Sequence, residues 1–232
     1  MKKILVSDYD QTFYLNDEDI EKNKKAINEF RQNGNIFVIA TGRSFFDLMH
    51  KVEQYNFEYD YVIINHGATI IDKENNIIFN CEIDDSIIPY IKEDLLQEDI
   101  LSRFCCSKLE SRVEFEHKNL TKINCKFKEK EKAFETNKKM NEKYKDYINS
   151  YYISNISIEI ISNKTSKSHA IEVLLQQLGI DKENVCTVGD GYSDIQMIKD
   201  FNGYCMENSV EELLQYCGDR KISSVSELIN KI

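Results

Sequence analysis

The chain has 232 residues, a formal net charge of −10, 41% hydrophobic and 11% aromatic residues, one Pro and eight Gly. That composition can fill a core and excludes a disordered chain. The acidic balance excludes a nucleic-acid partner, whose phosphates require clustered Lys and Arg. No stretch approaches the roughly 20 apolar residues of a membrane span, and the N-terminal run turns polar too soon for a signal peptide. A cytoplasmic protein without a membrane partner, monomeric or weakly dimeric, is expected.

Ile4 to Val6 reads as a buried strand of a parallel sheet. It runs into Asp8-Tyr-Asp10-Gln-Thr12. Two carboxylates two residues apart in an extended segment face the same way, so Asp8 and Asp10 can share one small site. Such a pair suits a carboxylate nucleophile with an acid/base beside it. Taken alone, the same residues also describe an Asx turn after a strand.

Asn16 or Asp17 caps a helix with Ile20, Ile27 and Phe30 on one face, and Gly34 stops it. Ile36 to Ala40 is the next buried strand. It meets Thr41-Gly42-Arg43, and Ser44 opens a helix with Phe45, Leu48, Met49 and Val52 inward. Thr-Gly between a strand and a helix offers a hydroxyl and free N–H groups to an anion; by itself it is also an ordinary turn. Tyr61 to Asn65 is a third strand, followed by His66-Gly67-Ala68. A hairpin follows, Ile70-Ile71 and Ile77 to Phe79. This β-α-β-α-β order implies a doubly wound parallel core.

From residue 82 to 161 the pattern changes. A helix is expected over 85–97 and strands near 100–106, 111–117 and 121–127. A charged helix over 129–145 and strands near 147–153 and 156–161 complete the module. Ile123, Cys125 and Phe127 alternate, as do Ile156, Ile158 and Ile160, so this sheet has one packed and one open face. The basic run Lys122 to Lys132 reads as a solvated face. Arg103, Lys108, Arg112 and His117 are polar candidates in the same module.

The α/β pattern resumes after 163. Thr165 or Ser166 caps a helix with Ile171, Leu174, Leu175 and Leu178 inward, ended by Gly179. Val185 to Val188 is a buried strand ending in Gly189-Asp190-Gly191-Tyr192-Ser193-Asp194. A helix through Ile195 and Ile198, a short strand from Gly203 to Met206, and helices near 209–217 and 225–231 close the chain. The seven Cys residues contain no Cys-x-x-Cys pair and read as reduced, buried hydrophobes. The four His residues show no ligand spacing with them.

Asp8/Asp10/Thr12, Thr41-Gly42, Lys167 and Asp190/Asp194 would all lie on one edge of one parallel sheet. Three acidic groups repel without a cation, and Asp8, Asp190 and Asp194 form a hard oxygen set suited to Mg²⁺. Thr12, Thr41, the Gly42 N–H and Lys167 suit a phosphate.

In order and spacing these residues resemble the haloacid dehalogenase superfamily of phosphatases. Asp8-Tyr-Asp10-Gln-Thr12, Thr41-Gly42-Arg43, Lys167 and Gly189-Asp190-Gly191-x-x-Asp194 resemble its four motifs. Asn65-x-Gly67-Ala68 and an insertion after the third strand resemble the Cof-type branch with a type IIB cap. The resemblance implies a Rossmann-like α/β core over 1–81 and 162–232 and an inserted α+β cap over 82–161. It implies Asp8 as nucleophile, Asp10 as acid/base and backbone-carbonyl ligand, Asp190 as metal ligand, and Asp194 supporting the metal shell, through water, and Lys167. Gln11 and Ser193 stand where the family usually has Gly and Asn, and the cap is short for the branch. The expected activity is Mg²⁺-dependent hydrolysis of a small phosphorylated metabolite, such as a sugar phosphate, through an aspartyl-phosphate. A phosphomutase or a non-catalytic phosphate-binding regulator are the alternatives.

Overall fold

The computed structural model describes residues 2–154 and 156–232. Strand β1 (Ile4–Ser7) is followed by helix α1 (Asp17–Gln32), β2 (Ile36–Ala40), α2 (Phe45–Tyr55) and β3 (Tyr61–Ile64). A 3-10 turn at Asn65–Gly67 leads into β4 (Thr69–Asp72) and β5 (Ile77–Asn80). Then come α3 (Ile88–Leu96), β6 (Ile100–Ser107), β7 (Glu110–Val113), β8 (Lys122–Phe127), α4 (Lys130–Lys143), β9 (Ile148–Ile153) and β10 (Ser157–Ser162). The chain closes with α5 (Lys167–Leu178), β11 (Val185–Gly189), α6 (Ile195–Asp200), β12 (Tyr204–Met206), α7 (Glu211–Leu214), β13 (Lys221–Ile222) and α8 (Val225–Ile229).

The larger sheet has the order β13-β12-β11-β1-β2-β3-β4-β5. β1 pairs parallel with β2 on one side and with β11 on the other. The chain winds outward through β2 and β3, and later through β12 and β13 in the opposite direction. The reversal therefore falls between β1 and β11, the place where open α/β sheets bind ligands. Alternate residues of β1 enter separate cores. Leu5 packs with Ile20 and Ile27 of α1, Leu48 of α2 and Leu228 of α8. Ile4 and Val6 pack with Leu174 of α5, Ile198 of α6 and Leu213 of α7. Full burial of such a side chain is worth about 1.5–3 kcal/mol. A one-residue slip of β1 would exchange both sets at once, so the position of Asp8 just beyond the strand is tightly fixed.

Helix starts follow the expected capping. Asn16 accepts the Glu18 and Asp19 N–H groups, Ser44 that of Asp47, and Ser166 that of His169. Ser166 as N-cap makes Lys167 the first residue of α5.

The second sheet is antiparallel, in the order β7-β6-β8-β10-β9. Its inner face, Ile123, Cys125, Phe127, Ile158 and Ile160, packs on Ile91 and Leu95 of α3 and Ala133 and Met140 of α4. The opposite face carries Lys122 and Glu159, which reach the larger sheet: Lys122 Nζ donates to the Gly42 carbonyl at 2.5 Å.

Several expectations change. Lys122 does not lie on a solvated face; it is 2% exposed and paired with Glu159 at 2.7 Å. α3 begins at Ile88, with Pro89 in its first turn. β7 stops at Val113, where Arg112 takes a left-handed φ of 62°. β13, only two residues long, carried no pattern to anticipate. The sulfurs of Cys205 and Cys217 lie against each other, with Cα atoms 6.0 Å apart; the two meet where β12 packs against the segment after α7. No helix among the described residues is long and apolar enough to cross a membrane.

Candidate active site

Asp8 follows β1 directly, its N–H bonded to the Val188 carbonyl of β11 at 2.9 Å. Asp190 follows β11, and Asp194 ends the 3-10 turn Tyr192–Asp194. One carboxylate oxygen from each of Asp8, Asp190 and Asp194 lies within 4.8 Å of the others. Lys167 joins them from α5: Nζ donates to Asp8 Oδ1 at 2.5 Å and to Asp194 Oδ1 at 2.7 Å.

Both oxygens of Asp194 are engaged, because Oδ2 also accepts the N–H groups of Asp190 and Gly191 at 3.1 and 2.9 Å. Asp194 therefore shapes the loop. Gly189 permits this approach, since a Cβ there would collide with the Asp194 carboxylate. Thr12, expected at a phosphate, is fully buried and donates to Asp190 Oδ1 at 2.6 Å. It does not line the cavity; it orients Asp190.

The electrostatics are those of too many carboxylates for one cation. Burial pushes the Asp8 carboxyl well above its ordinary value; Lys167 opposes this, and Asp194 and Asp190 add to it. Burial, then repulsion from Asp194, raises Asp190 to about 6. Burial alone would lower Lys167, but Asp194 and Asp8 outweigh it and hold the ammonium above its ordinary value. The Asp10 carbonyl accepts no hydrogen bond from the described residues. An oxygen-only set with a spare carbonyl and surplus negative charge fits a hard divalent cation.

Asp10 is placed differently from Asp8. Its carboxylate is half-exposed and bound by the Arg43 fork, Nε to Oδ2 at 2.8 Å and Nη2 to Oδ1 at 2.7 Å. Arg43 also lies over the Tyr9 ring, 5.3 Å from its centroid. Gln11, standing where a glycine was expected, adopts the left-handed φ of 61° itself. The turn is thus kept, at a conformational cost.

The Thr41-Gly42-Arg43 loop is fixed by its carbonyls. Thr41 O accepts from His66 N at 3.0 Å, Arg43 O from Asn65 N at 3.0 Å, and Gly42 O from Lys122. The Arg43 N–H donates to Thr41 Oγ1 at 3.1 Å, so the Thr41 hydroxyl hydrogen is left to donate elsewhere. The Gly42 N–H has no partner among the described residues.

These groups line a cavity of about 640 Å³ between the two sheets. Asp8, Asp10, Thr41, Gly42, Lys167, Asp190 and Asp194 form its floor, and Phe104, Lys122, Tyr152 and Glu159 of the second sheet form part of its wall. The polar candidates Arg103, Lys108, Arg112 and His117 are not among its lining. Arg103 and Arg112 instead cover the rings of Phe115 and Phe104. His117 pairs with Glu110 at 3.0 Å.

Sequence reading missed Lys122, Glu159 and His66. His66 Nε2 meets Glu159 Oε2 at 2.5 Å, and Glu159 Oε1 accepts from Lys122 and from Asn124 at 2.9 Å. Burial would raise the Glu159 carboxyl, but Lys122 and His66 pull it down to about 2. Burial lowers His66. The available signal was the alternation of β8 and β10, which puts Lys122 and Glu159 on the face away from the isoleucines.

The chain is 24% identical to a 5-amino-6-(5-phospho-D-ribitylamino)uracil phosphatase of Escherichia coli (strain K12), over 99% of this chain and 96% of that protein. Its fold matches that of a haloacid dehalogenase-like hydrolase from Bacteroides thetaiotaomicron, with a TM-score of 0.82 at 18% identity, covering 100% of this chain and 99% of the other. It also matches a subclass IIB sugar phosphatase of that superfamily, TM-score 0.81 at 16% identity, covering 99% and 98%. Residues 5–113 and 106–219 match the haloacid dehalogenase-like hydrolase family, and with the four motifs in place at one sheet edge the chain belongs to that family, in its Cof-type branch.

Proposed function

We propose that the protein is a Mg²⁺-dependent phosphomonoesterase acting on a small, sugar phosphate-like metabolite through a phosphorylated Asp8. One observation carries this reading. Among the described residues, Asp8 is held by Lys167 through a single oxygen, Oδ1, beside a loop whose free donors are the Gly42 N–H and the Thr41 hydroxyl. That is a carboxylate next to an anion cradle. The relatives' names agree: one acts on a ribityl phosphate and another on sugar phosphates.

Asp8, Asp190 and the Asp10 carbonyl would hold the cation, with Asp194 supporting them. When bound, it offsets the charge of the carboxylates and the phosphoryl oxygens. Asp8 Oδ2 attacks phosphorus and the bond to the leaving oxygen breaks. Asp10, which enters this step protonated on an oxygen released by Arg43, gives the leaving oxygen its proton. Asp10 then takes a proton from the water that attacks the aspartyl-phosphate, and the bond to Asp8 breaks. Lys167, Gly42 and Thr41 hold the phosphoryl oxygens throughout. Residues 82–161 act as a cap that shields the site from bulk water and selects the leaving group, over a core of 1–81 and 162–232.

Phosphate release from a panel of phosphorylated metabolites, with Mg²⁺ and with excess chelator, tests the proposal. Release with Mg²⁺ and none with chelator is expected. Isomerised substrate without phosphate release would make the protein a mutase. Undiminished turnover in chelator would remove the cation from the account.

A further inference from the structure

Lys122 spends an unusual amount of burial on one backbone oxygen. Its ammonium is 2% exposed and has two partners, Glu159 Oε1 at 2.7 Å and the Gly42 carbonyl at 2.5 Å. Burying an ammonium costs several kcal/mol unless its bonds repay it. A charge pair internal to the second sheet would need Glu159 alone. Glu159 is already supplied by Asn124 and His66. The second N–H of Lys122 crosses to the other sheet and meets a carbonyl that has no other donor among the described residues.

That carbonyl sits in the middle of the anion cradle. Its neighbours, Thr41 O and Arg43 O, are fixed by the backbone of His66 and Asn65. The peptide between Gly42 and Arg43 is thus gripped at both ends, its C=O by Lys122 and its N–H by Thr41 Oγ1. Loss of either grip frees that peptide plane to rotate. Rotation would withdraw the Arg43 N–H from Thr41 Oγ1 and so release the Thr41 hydroxyl, one of the two donors left over for a phosphate among the described residues. The other, the Gly42 N–H, lies on the preceding peptide, which His66 holds. Space leaves little alternative on this side, because a Cβ on Gly42 would collide with the His66 imidazole.

We propose that Lys122 is a positioning residue that makes phosphate binding depend on the docking of the second sheet. It acts through Gly42 and does not itself touch the phosphoryl group. The proposal rests on the phosphatase reading above. Because the coupling is a free energy shared by two sites, it must be reciprocal. Phosphate in the cradle should steady β8, and a docked β8 should strengthen phosphate binding.

Inorganic phosphate in the presence of Mg²⁺ is the probe, with binding measured by calorimetry. A wild-type protein that fails to bind it would defeat the phosphatase reading itself, before any variant is considered. Given wild-type binding, Lys122→Met should weaken phosphate roughly tenfold or more, the scale of one charge-assisted bond. Lys122→Met strands the Glu159 charge, so the double variant Lys122→Met/Glu159→Gln, which leaves no unpaired charge, is the decisive one. It should fold with wild-type circular dichroism yet keep the weakened phosphate affinity. Recovery of wild-type affinity in the double variant would reduce Lys122 to a structural charge partner and overturn the proposal. Hydrogen exchange on the wild-type protein tests the reciprocal direction without any variant. Phosphate should slow amide exchange in residues 122–127 as well as in 41–43. Slowing confined to 41–43 would contradict the coupling.

Discussion

Arg43 holds both carboxylate oxygens of Asp10, at 2.8 and 2.7 Å, so the proposed acid/base is kept at the cavity by a planar fork that releases one oxygen when the proton is carried. A lysine cannot reproduce two parallel bonds. Arg43→Lys should therefore lower kcat roughly tenfold, within the range expected for impaired proton transfer. The loss should be greater for an alkyl phosphate, which needs the proton, than for an aryl phosphate with an acidic leaving group. Steady-state kinetics on both substrates gives the comparison; equal losses would separate Arg43 from the proton.

Asp10→Asn should retain Mg²⁺ and phosphate binding, because the proposed metal contact is the backbone carbonyl. Turnover of an alkyl phosphate should fall by roughly two to four orders of magnitude. With an aryl phosphate the first step survives and the second stalls, giving a burst of phenol. Stopped-flow absorbance would show it, and equal slowing without a burst would make Asp10 a positioning group.

Gln11 pays for its left-handed backbone, φ 61°, on the order of 1–2 kcal/mol. A glycine there would avoid the strain but lose about 0.5–1 kcal/mol to its freer unfolded chain. Gln11→Gly should thus raise stability by up to about 1 kcal/mol in chemical denaturation. A destabilised variant would mean that the Gln11 side chain earns its place by contacts.

Glu159 titrates lower in the folded chain, at about 2, than the ordinary 4.5. A depressed carboxyl adds stability that is complete above the unfolded value and fades as pH falls toward the folded one. The window is therefore pH 4.5 down to about 2, and the contribution is on the order of 3 kcal/mol. Glu159→Gln should flatten the fall of melting temperature across that window. An unchanged acid limb would place the acid sensitivity in other carboxylates.

The legible parts of this molecule are those whose signal is local. β1, β2 and β11 are short apolar runs buried on both faces, and each ends in polar residues that could be placed at the sheet edge before any contact was known. Ser44 and Ser166 marked the helix starts. Lys122 and Glu159 were illegible for a different reason. Alternation assigns them to a face, but only the docking of two sheets buries that face. Thr12 was read as a phosphate ligand because its hydroxyl sits near the carboxylates in sequence; Asp190, distant in sequence, takes that hydroxyl in the fold. The Cys205–Cys217 pair likewise depends on packing between β12 and the segment after α7.

The central claim, that Asp8 carries the phosphoryl group, is tested most directly by trapping it. Asp10→Asn protein mixed with Mg²⁺ and an aryl phosphate radiolabelled at phosphorus, then quenched in acid within one turnover, should hold acid-stable, base-labile label. Peptide mapping should place that label on the fragment containing Asp8. Label on another residue, or phenol released in step with free phosphate while the protein stays unlabelled, would contradict the account.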